Sequence, residues 1–324
     1  MRAAIIPELG PLDRLVIEDT DPPLPGPGMV LVDVAAAGVS FVDALTALGG
    51  YQIKPKAPYV PGGEVAGTVL AVGDGVDAFT VGQRVVGMTG IGGGFAEQAV
   101  TPANMTFALP DGVADGQAAA MLQAYGTALF TLRERTHVEP GEWVLVTGAG
   151  GGVGLACIDV AKALGAQVIA AASTTDKLAA ATAIGADATI AYEDVDLKAA
   201  AREISGGGVD VVVDSVGGKH AEPALRALKL FGRFCVVGFA AGSIPTIPLN
   251  QVLLNNRTVV GVEWGGWAWR EPVKNKAMLG DAMAMVADGR LHPVLPDERP
   301  LADAAEVLQA IVDRKITGKV VLIP

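Results

Sequence analysis

Apolar positions in the first 120 residues come in short runs, at 30–36, 64–72, 84–88 and 97–101, with turn-rich clusters at 22–28 and 73–75 between them. Short runs punctuated by Gly and Pro predict strands of an all-β, barrel-like region. The pattern changes near residue 120. Residues 116–131 (GQAAAMLQAYGTALFT) read as a helix, and beyond them strand and helix patterns alternate. Strands are predicted over 143–147, 168–172, 189–191, 209–213, 233–237 and 258–262. Helices are predicted over 153–164, 177–183, 197–204, 220–228 and 249–255, the first two ending at Gly165 and Gly185. The strand runs are rich in Val and Ile and do not alternate with polar residues, as a parallel sheet covered on both faces requires. Six of them match a doubly wound, dinucleotide-binding sheet.

After residue 265 the pattern gives helices at 273–288 and 303–313 and a strand at 319–323. This tail is expected to return to the first domain. The predicted division is 1–120 with 265–324 for one domain and 121–264 for the other.

Composition narrows the partners. Hydrophobic residues make up 51% of the 324 and charged residues 18%, ample for buried cores, and the formal net charge is −11. An acidic chain is repelled by nucleic acid and by anionic lipid. Charges such as Asp159 and Lys162 interrupt the most apolar helical region, so no membrane span is predicted. The N-terminus lacks a long apolar segment of the secretory kind. Cys157 and Cys235 both lie in apolar surroundings and read as buried, reduced thiols. The expected location is the cytoplasm.

The segment Val144–Gly154 (VLVTGAGGGVG) carries the chemistry. A strand runs into glycines and then into a helix. Glycine permits unusual dihedrals and lets the backbone approach a pyrophosphate. The free N–H groups at the helix start, here at Gly152 and Val153, face the phosphates with the helix dipole behind them. The spacing is Ala149-x-Gly151-x-x-Gly154, with Ala in place of the first glycine. The end of the next strand separates the two nicotinamide cofactors. A carboxylate there favours the 2′-hydroxyl of NAD. Here it is Ser173, with Lys177 four residues on. A hydroxyl and an ammonium suit a 2′-phosphate, so NADPH is expected. Zinc sites need clustered Cys or His. His137, His220 and His292 are scattered and no Cys-x-x-Cys occurs, so no metal is expected.

With these motifs the chain resembles the medium-chain dehydrogenase/reductase superfamily, and within it the zinc-independent quinone oxidoreductases related to zeta-crystallin. The resemblance spans the chain: residues 37–43 (AGVSFVD), 61–67 (PGGEVAG), 82–85 (GQRV), 149–154, 214–217 (DSVG) and 317–324 (TGKVVLIP). It implies an α/β fold, with a GroES-like β-barrel catalytic domain beside a Rossmann domain. In the zinc alcohol dehydrogenases of the superfamily, Cys and His occupy the positions of Ser40 and Gly63. The resemblance therefore also implies no metal.

It further implies that Val216, Gly238 and Phe239 line the nicotinamide side of the cofactor, that Thr127 lies near the nicotinamide or its phosphate, and that Tyr192 joins Ser173 and Lys177 at the 2′-phosphate. Tyr51 matches a tyrosine that donates a proton in related enoyl reductases, and is read either as that donor or as a wall of the pocket. Ser40 or water is the alternative donor. Asp43 reads as structural, capping or orienting its loop. The run Trp264–Trp269 (WGGWAW) reads either as a stacking surface for a flat substrate or as packing. The expected activity is hydride transfer from NADPH to a small-molecule electron acceptor, a quinone or a similarly electron-poor compound. The alternatives are reduction of activated alkenes, acrylate-type or enoyl thioesters, and NADPH binding without catalysis. The family's habit implies a homodimer through the last cofactor-domain strand.

Overall fold

The computed structural model describes every residue, Met1–Pro324. It divides into two compact units. Unit 1 comprises Met1–Gln123, Pro272–Asp288 and Pro293–Pro324; unit 2 comprises Ala124–Glu271 and Gly289–His292.

Unit 1 begins with a two-stranded antiparallel ribbon, β1 (Arg2–Ile5) and β2 (Val16–Asp19). Its main sheet is built on β3 (Met29–Val39), an 11-residue strand. Antiparallel to it run β4 (Glu64–Val72) and β6 (Gln98–Pro102); β5 (Arg84–Met88) pairs with β4, and β7 (Thr106–Ala108) with β5. One core of this unit gathers Val30, Val32, Val69, Val76, Phe79 and Val85. Between β3 and β4 lies α1 (Phe41–Ala47).

The helix predicted over 116–131 is broken. It forms α2 (Asp115–Ala119) and α3 (Leu122–Leu129), and the chain then widens into a π-helical turn, Phe130–Arg135. Alanine is helical on either side of the break, so nothing in the local sequence marks it. The division between the units falls within α3.

Unit 2 holds six parallel strands: β8 (Trp143–Thr147), β9 (Gln167–Ala172), β10 (Ala188–Ala191), β11 (Val209–Asp214), β12 (Leu228–Val236) and β13 (Thr258–Gly261). Their spatial order is β10-β9-β8-β11-β12-β13, the doubly wound order with the first strand at the centre. Every residue of β11 is buried. Helices α4 (Gly152–Ala163) and α5 (Thr175–Ala183) pack on β8, β9 and β10; α6 (Leu197–Ile204) and α7 (Ala221–Ala227) pack on each other and on the neighbouring strands. Leu145, Ile169, Val212 and Phe234 of the sheet meet Leu197, Ala201, Ala224 and Leu225 of α6 and α7 in one core. After α8 (Leu249–Leu253) and β13 comes α9 (Trp264–Arg270).

The second division between units follows α9, at 271/272 rather than at the expected 264/265. The reason is packing. A Cβ at Gly126 would lie 2.6 Å from Trp264 Cζ2, and the Trp267 ring lies 4.7 Å from that of Phe130. The tryptophans thus anchor α9 within unit 2.

The chain returns to unit 1 with α10 (Pro272–Ala287), β14 (Asp297–Pro300), α11 (Ala304–Val312) and β15 (Val320–Ile323). β15 pairs antiparallel with the end of β3, and β14 pairs parallel with β15. A second core of unit 1 joins Leu301, Val307, Leu308 and Leu322 of this tail to Ile6, Val34, Val39 and Phe95.

Candidate functional site

The glycine turn lies where β8 meets α4. Gly148 takes the left-handed backbone, φ 66°, that the turn demands. The sequence pattern placed the first fingerprint position at Ala149, but the tight turn is made one residue earlier. Ala149 therefore tolerates its methyl group: it is fully buried, and its N–H donates to Ala171 O at 3.2 Å, tying the turn to β9. Gly151 caps α4 in extended conformation, and its N–H donates to Gly148 O at 3.1 Å. A Cβ at Gly154 would collide with that same Gly148 carbonyl, and one at Gly150 with the stem of Lys177. Only glycine allows strand, turn and helix to close this tightly. The N–H groups of Gly152, Val153 and Gly154 open the helix without intrahelical acceptors, which makes a site for an anion.

Beside β8 the strand order reverses, and β11 follows in space. This is the topological switch point, where α/β sheets bind ligands at the carboxyl ends of their strands. Asp214, which ends β11, is 3% exposed. Its Oδ1 accepts from Thr147 Oγ1 at 2.6 Å and from the N–H groups of Val216 and Gly217 at 3.1 Å each. One carboxylate thus holds the loop after β11 against the end of β8. Val216 comes to the glycine turn: a Cβ at Gly148 would lie 2.9 Å from Val216 Cγ2. Gly238 follows β12, its N–H donating to Asp214 O at 3.3 Å, and a Cβ at Gly217 would lie 3.0 Å from Phe239 Cδ1.

On the other side of the turn, Ser173 is exposed just beyond β9. Thr174 caps α5 by accepting from the Lys177 N–H at 3.4 Å, which sets Lys177 in the first turn beside Gly150. The Tyr192 N–H donates to Ala172 O at 3.3 Å, so Tyr192 stands next to Ser173. Ser173, Lys177, Tyr192, Ala149, Gly151, Gly152, Val153, Val216, Gly238 and Phe239 thus share the carboxyl edge of one sheet. Thr127 lies apart on α3, half-buried, its carbonyl accepting from the Thr131 hydroxyl at 2.7 Å.

The remaining candidates belong to unit 1. Ser40 is the N-cap of α1 in a capping box: its hydroxyl donates to Asp43 Oδ2 at 2.6 Å and accepts from the Asp43 N–H at 3.3 Å. Its hydroxyl is therefore engaged in holding α1. Asp43 is buried, and burial pushes its carboxyl up to about 6 against the pull of Ser40 and Lys319. Glu64 and Lys319 form a buried ion pair at 3.0 Å that ties β4 to the tail, and Lys319 also donates to Val39 O at 3.1 Å. Tyr51 follows α1 in a bend, its N–H donating to Leu45 O at 3.2 Å. Tyr59, unremarked in the sequence, has a buried hydroxyl without a hydrogen-bond partner. Burial and the neighbouring Asp43 raise its phenol, which stays protonated.

Cys157 and Cys235 are free and buried; burial raises both thiols, Cys235 to about 12. No three His, Cys, Asp or Glu side chains converge as a metal-holding group. No helix is long and apolar enough to cross a membrane. Besides Tyr59, pattern reading missed the roles of Gly148 and Asp214. The available signal for Asp214 was an acid closing an otherwise valine-rich strand, VDVVVD.

A Rossmann unit with a glycine turn, joined to a separate β-rich unit, defines a class of nucleotide-dependent dehydrogenases and reductases, and known proteins agree. Residues 26–111 match the alcohol dehydrogenase GroES-like domain and residues 152–278 the zinc-binding dehydrogenase family. Quinone oxidoreductase-like protein 2 of Bos taurus is 40% identical over 99% of this chain and 92% of its own length. Among solved structures, a mycobacterial protein complexed with NADPH is 31% identical with a TM-score of 0.92. Escherichia coli quinone oxidoreductase complexed with NADPH is 28% identical, also with a TM-score of 0.92, and in both comparisons each chain is covered completely. The chain belongs to the quinone oxidoreductase-like family of the medium-chain dehydrogenase/reductase superfamily.

Proposed function

We propose that the protein is an NADPH-dependent, zinc-independent reductase of quinones or similarly electron-poor acceptors. The observation that carries the reading is the carboxyl edge of unit 2, where a closed glycine turn and the free N–H groups of α4 adjoin Ser173 and Lys177 with no carboxylate at position 173. The residues fit the cofactor's chemistry. Gly152 and Val153 offer backbone donors to a pyrophosphate, and Lys177, Ser173 and Tyr192 offer a cation, a hydroxyl and a ring to the 2′-phosphate end. Val216, Gly238, Phe239 and Thr127 are assigned to the nicotinamide end. Related proteins hold NADPH, which supports the same cofactor here.

Bound NADPH supplies a hydride from its C4 carbon. The protein's part is to bind and orient the cofactor through the residues above and to exclude water. It also supplies hydrogen bonding where negative charge develops on the acceptor oxygen. Tyr51 is assigned that role, since a phenol is protonated at neutral pH. Ser40, already bonded to Asp43, is the weaker candidate. The case against zinc rests on the donor set: Ser40 and Gly63 stand where the zinc enzymes of the superfamily have Cys and His.

A homodimer is part of the reading. β13 is an edge strand, and Leu249, Leu253, Leu254 and Val259 beside it are 42–77% exposed, an unusual apolar surface for an edge. The buried thiols are consistent with a reducing compartment, and we place the protein in the cytoplasm. Steady-state NADPH oxidation with a benzoquinone series and with an acrylate and enoyl thioester series tests the acceptor class. Turnover favouring quinones is expected. Turnover confined to the activated alkenes would replace this reading with alkene reduction, and none with either would leave a cofactor-binding protein.

A further inference from the structure

Behind Tyr192 lies a cluster that the proposed chemistry does not use. The Tyr192 ring packs on the imidazole of His220, with centroids 4.2 Å apart and planes tilted by 38°. The His220 side chain is only 11% exposed, and its Nε2 lies 3.2 Å from Glu193 Oε1. The other oxygen, Glu193 Oε2, accepts from Lys219 Nζ at 2.6 Å. Lys219 and His220 hold the Glu193 carboxyl below the usual range, so it is ionised. Lys219 and His220 belong to the 3-10 turn Gly218–His220 that follows β11, whereas Tyr192 and Glu193 follow β10. The cluster therefore joins two loops at the carboxyl edge of the sheet.

We propose that His220, held by Glu193, is a positioning residue that fixes the Tyr192 ring for the 2′-phosphate end of NADPH. This rests on the cofactor reading above. A ring hinged at the end of a strand has rotamers to lose when it orders around a ligand, and packing it beforehand removes that loss. His220 supplies the packed face, and the charged Glu193 keeps the imidazole from turning away. The imidazole never reaches the cofactor; it acts through Tyr192.

The test is a double-mutant cycle on Kd for NADPH and for NADH, with melting temperature as a check on folding. His220→Ala is expected to raise the NADPH Kd about three- to ten-fold and to shift NADH less than about two-fold. Added to Tyr192→Ala, it should cause almost no further loss, because the two act as one unit. His220→Phe, which keeps a ring against Tyr192, should restore most of the affinity. If His220→Ala does not fold, Glu193→Ala takes its place, with a smaller loss, still selective for NADPH, expected because the ring stays but is no longer held. Equal losses for both cofactors, or full additivity with Tyr192→Ala, would overturn the inference. So would unchanged NADPH affinity in Tyr192→Ala while Lys177→Ala binds NADPH poorly, which leaves the cofactor reading standing. If Lys177→Ala and Tyr192→Ala both bind NADPH normally, the cofactor reading itself fails.

Discussion

Lys177 is the side chain to which the proposed cofactor preference is assigned. Its stem lies over Gly150 and its position in the first turn of α5 is fixed by Thr174. Hydrogen bonds to charged groups contribute about 1.5–3 kcal/mol, so Lys177→Ala should weaken NADPH by roughly that amount and leave NADH nearly unchanged. Isothermal titration with the two cofactors checks this, and equal losses would contradict it. The place of Ser173 on the sheet edge was legible in the sequence because the residue after a strand lies at a fixed position there. Gly148 was not, because the pattern shows only that several glycines adjoin, whereas φ decides which of them turns the chain. The role of Asp214 was hidden for a different reason: its partner Thr147 lies 67 residues away.

Among the elements, α1 carries the clearest dependence on pH. Its cap rests on Asp43, whose carboxyl titrates near 6 in the folded chain against an ordinary value of 3.8. Between those values the folded state holds a proton that the unfolded chain has released. Linkage then makes the contribution of Asp43 fall as pH rises from about 4 to about 6, with no further change outside that window. Asp43→Asn should flatten this part of the stability profile. Urea midpoints measured from pH 4 to 7 on the native protein and the variant check it; parallel profiles would contradict it.

The central strands of unit 2, β8, β9 and β11, were legible because burial on both faces leaves an apolar run that no helix period explains. The break in the helix predicted over 116–131 was not, since alanine favours neither side of it. β14 (Asp297–Pro300) was also missed: its sequence is DERP, and it is a strand because β15 offers it a partner.

For the whole molecule, the acidic charge of −11 disfavours polyanionic partners, and the exposed apolar edge beside β13 favours a second copy of the chain. If the proposed dimer forms through that edge, Val259→Lys should shift it to monomer in sedimentation velocity; an unchanged sedimentation coefficient would place the interface elsewhere. The proposed activity is zinc-independent reduction of a quinone with NADPH held at the glycine turn. The direct measurement is kcat/KM for a benzoquinone with NADPH and with NADH, on protein freed of metal by exhaustive chelation. Full turnover after chelation and a clear preference for NADPH are expected. Activity lost on chelation and restored by zinc, or equal use of NADH, would contradict it.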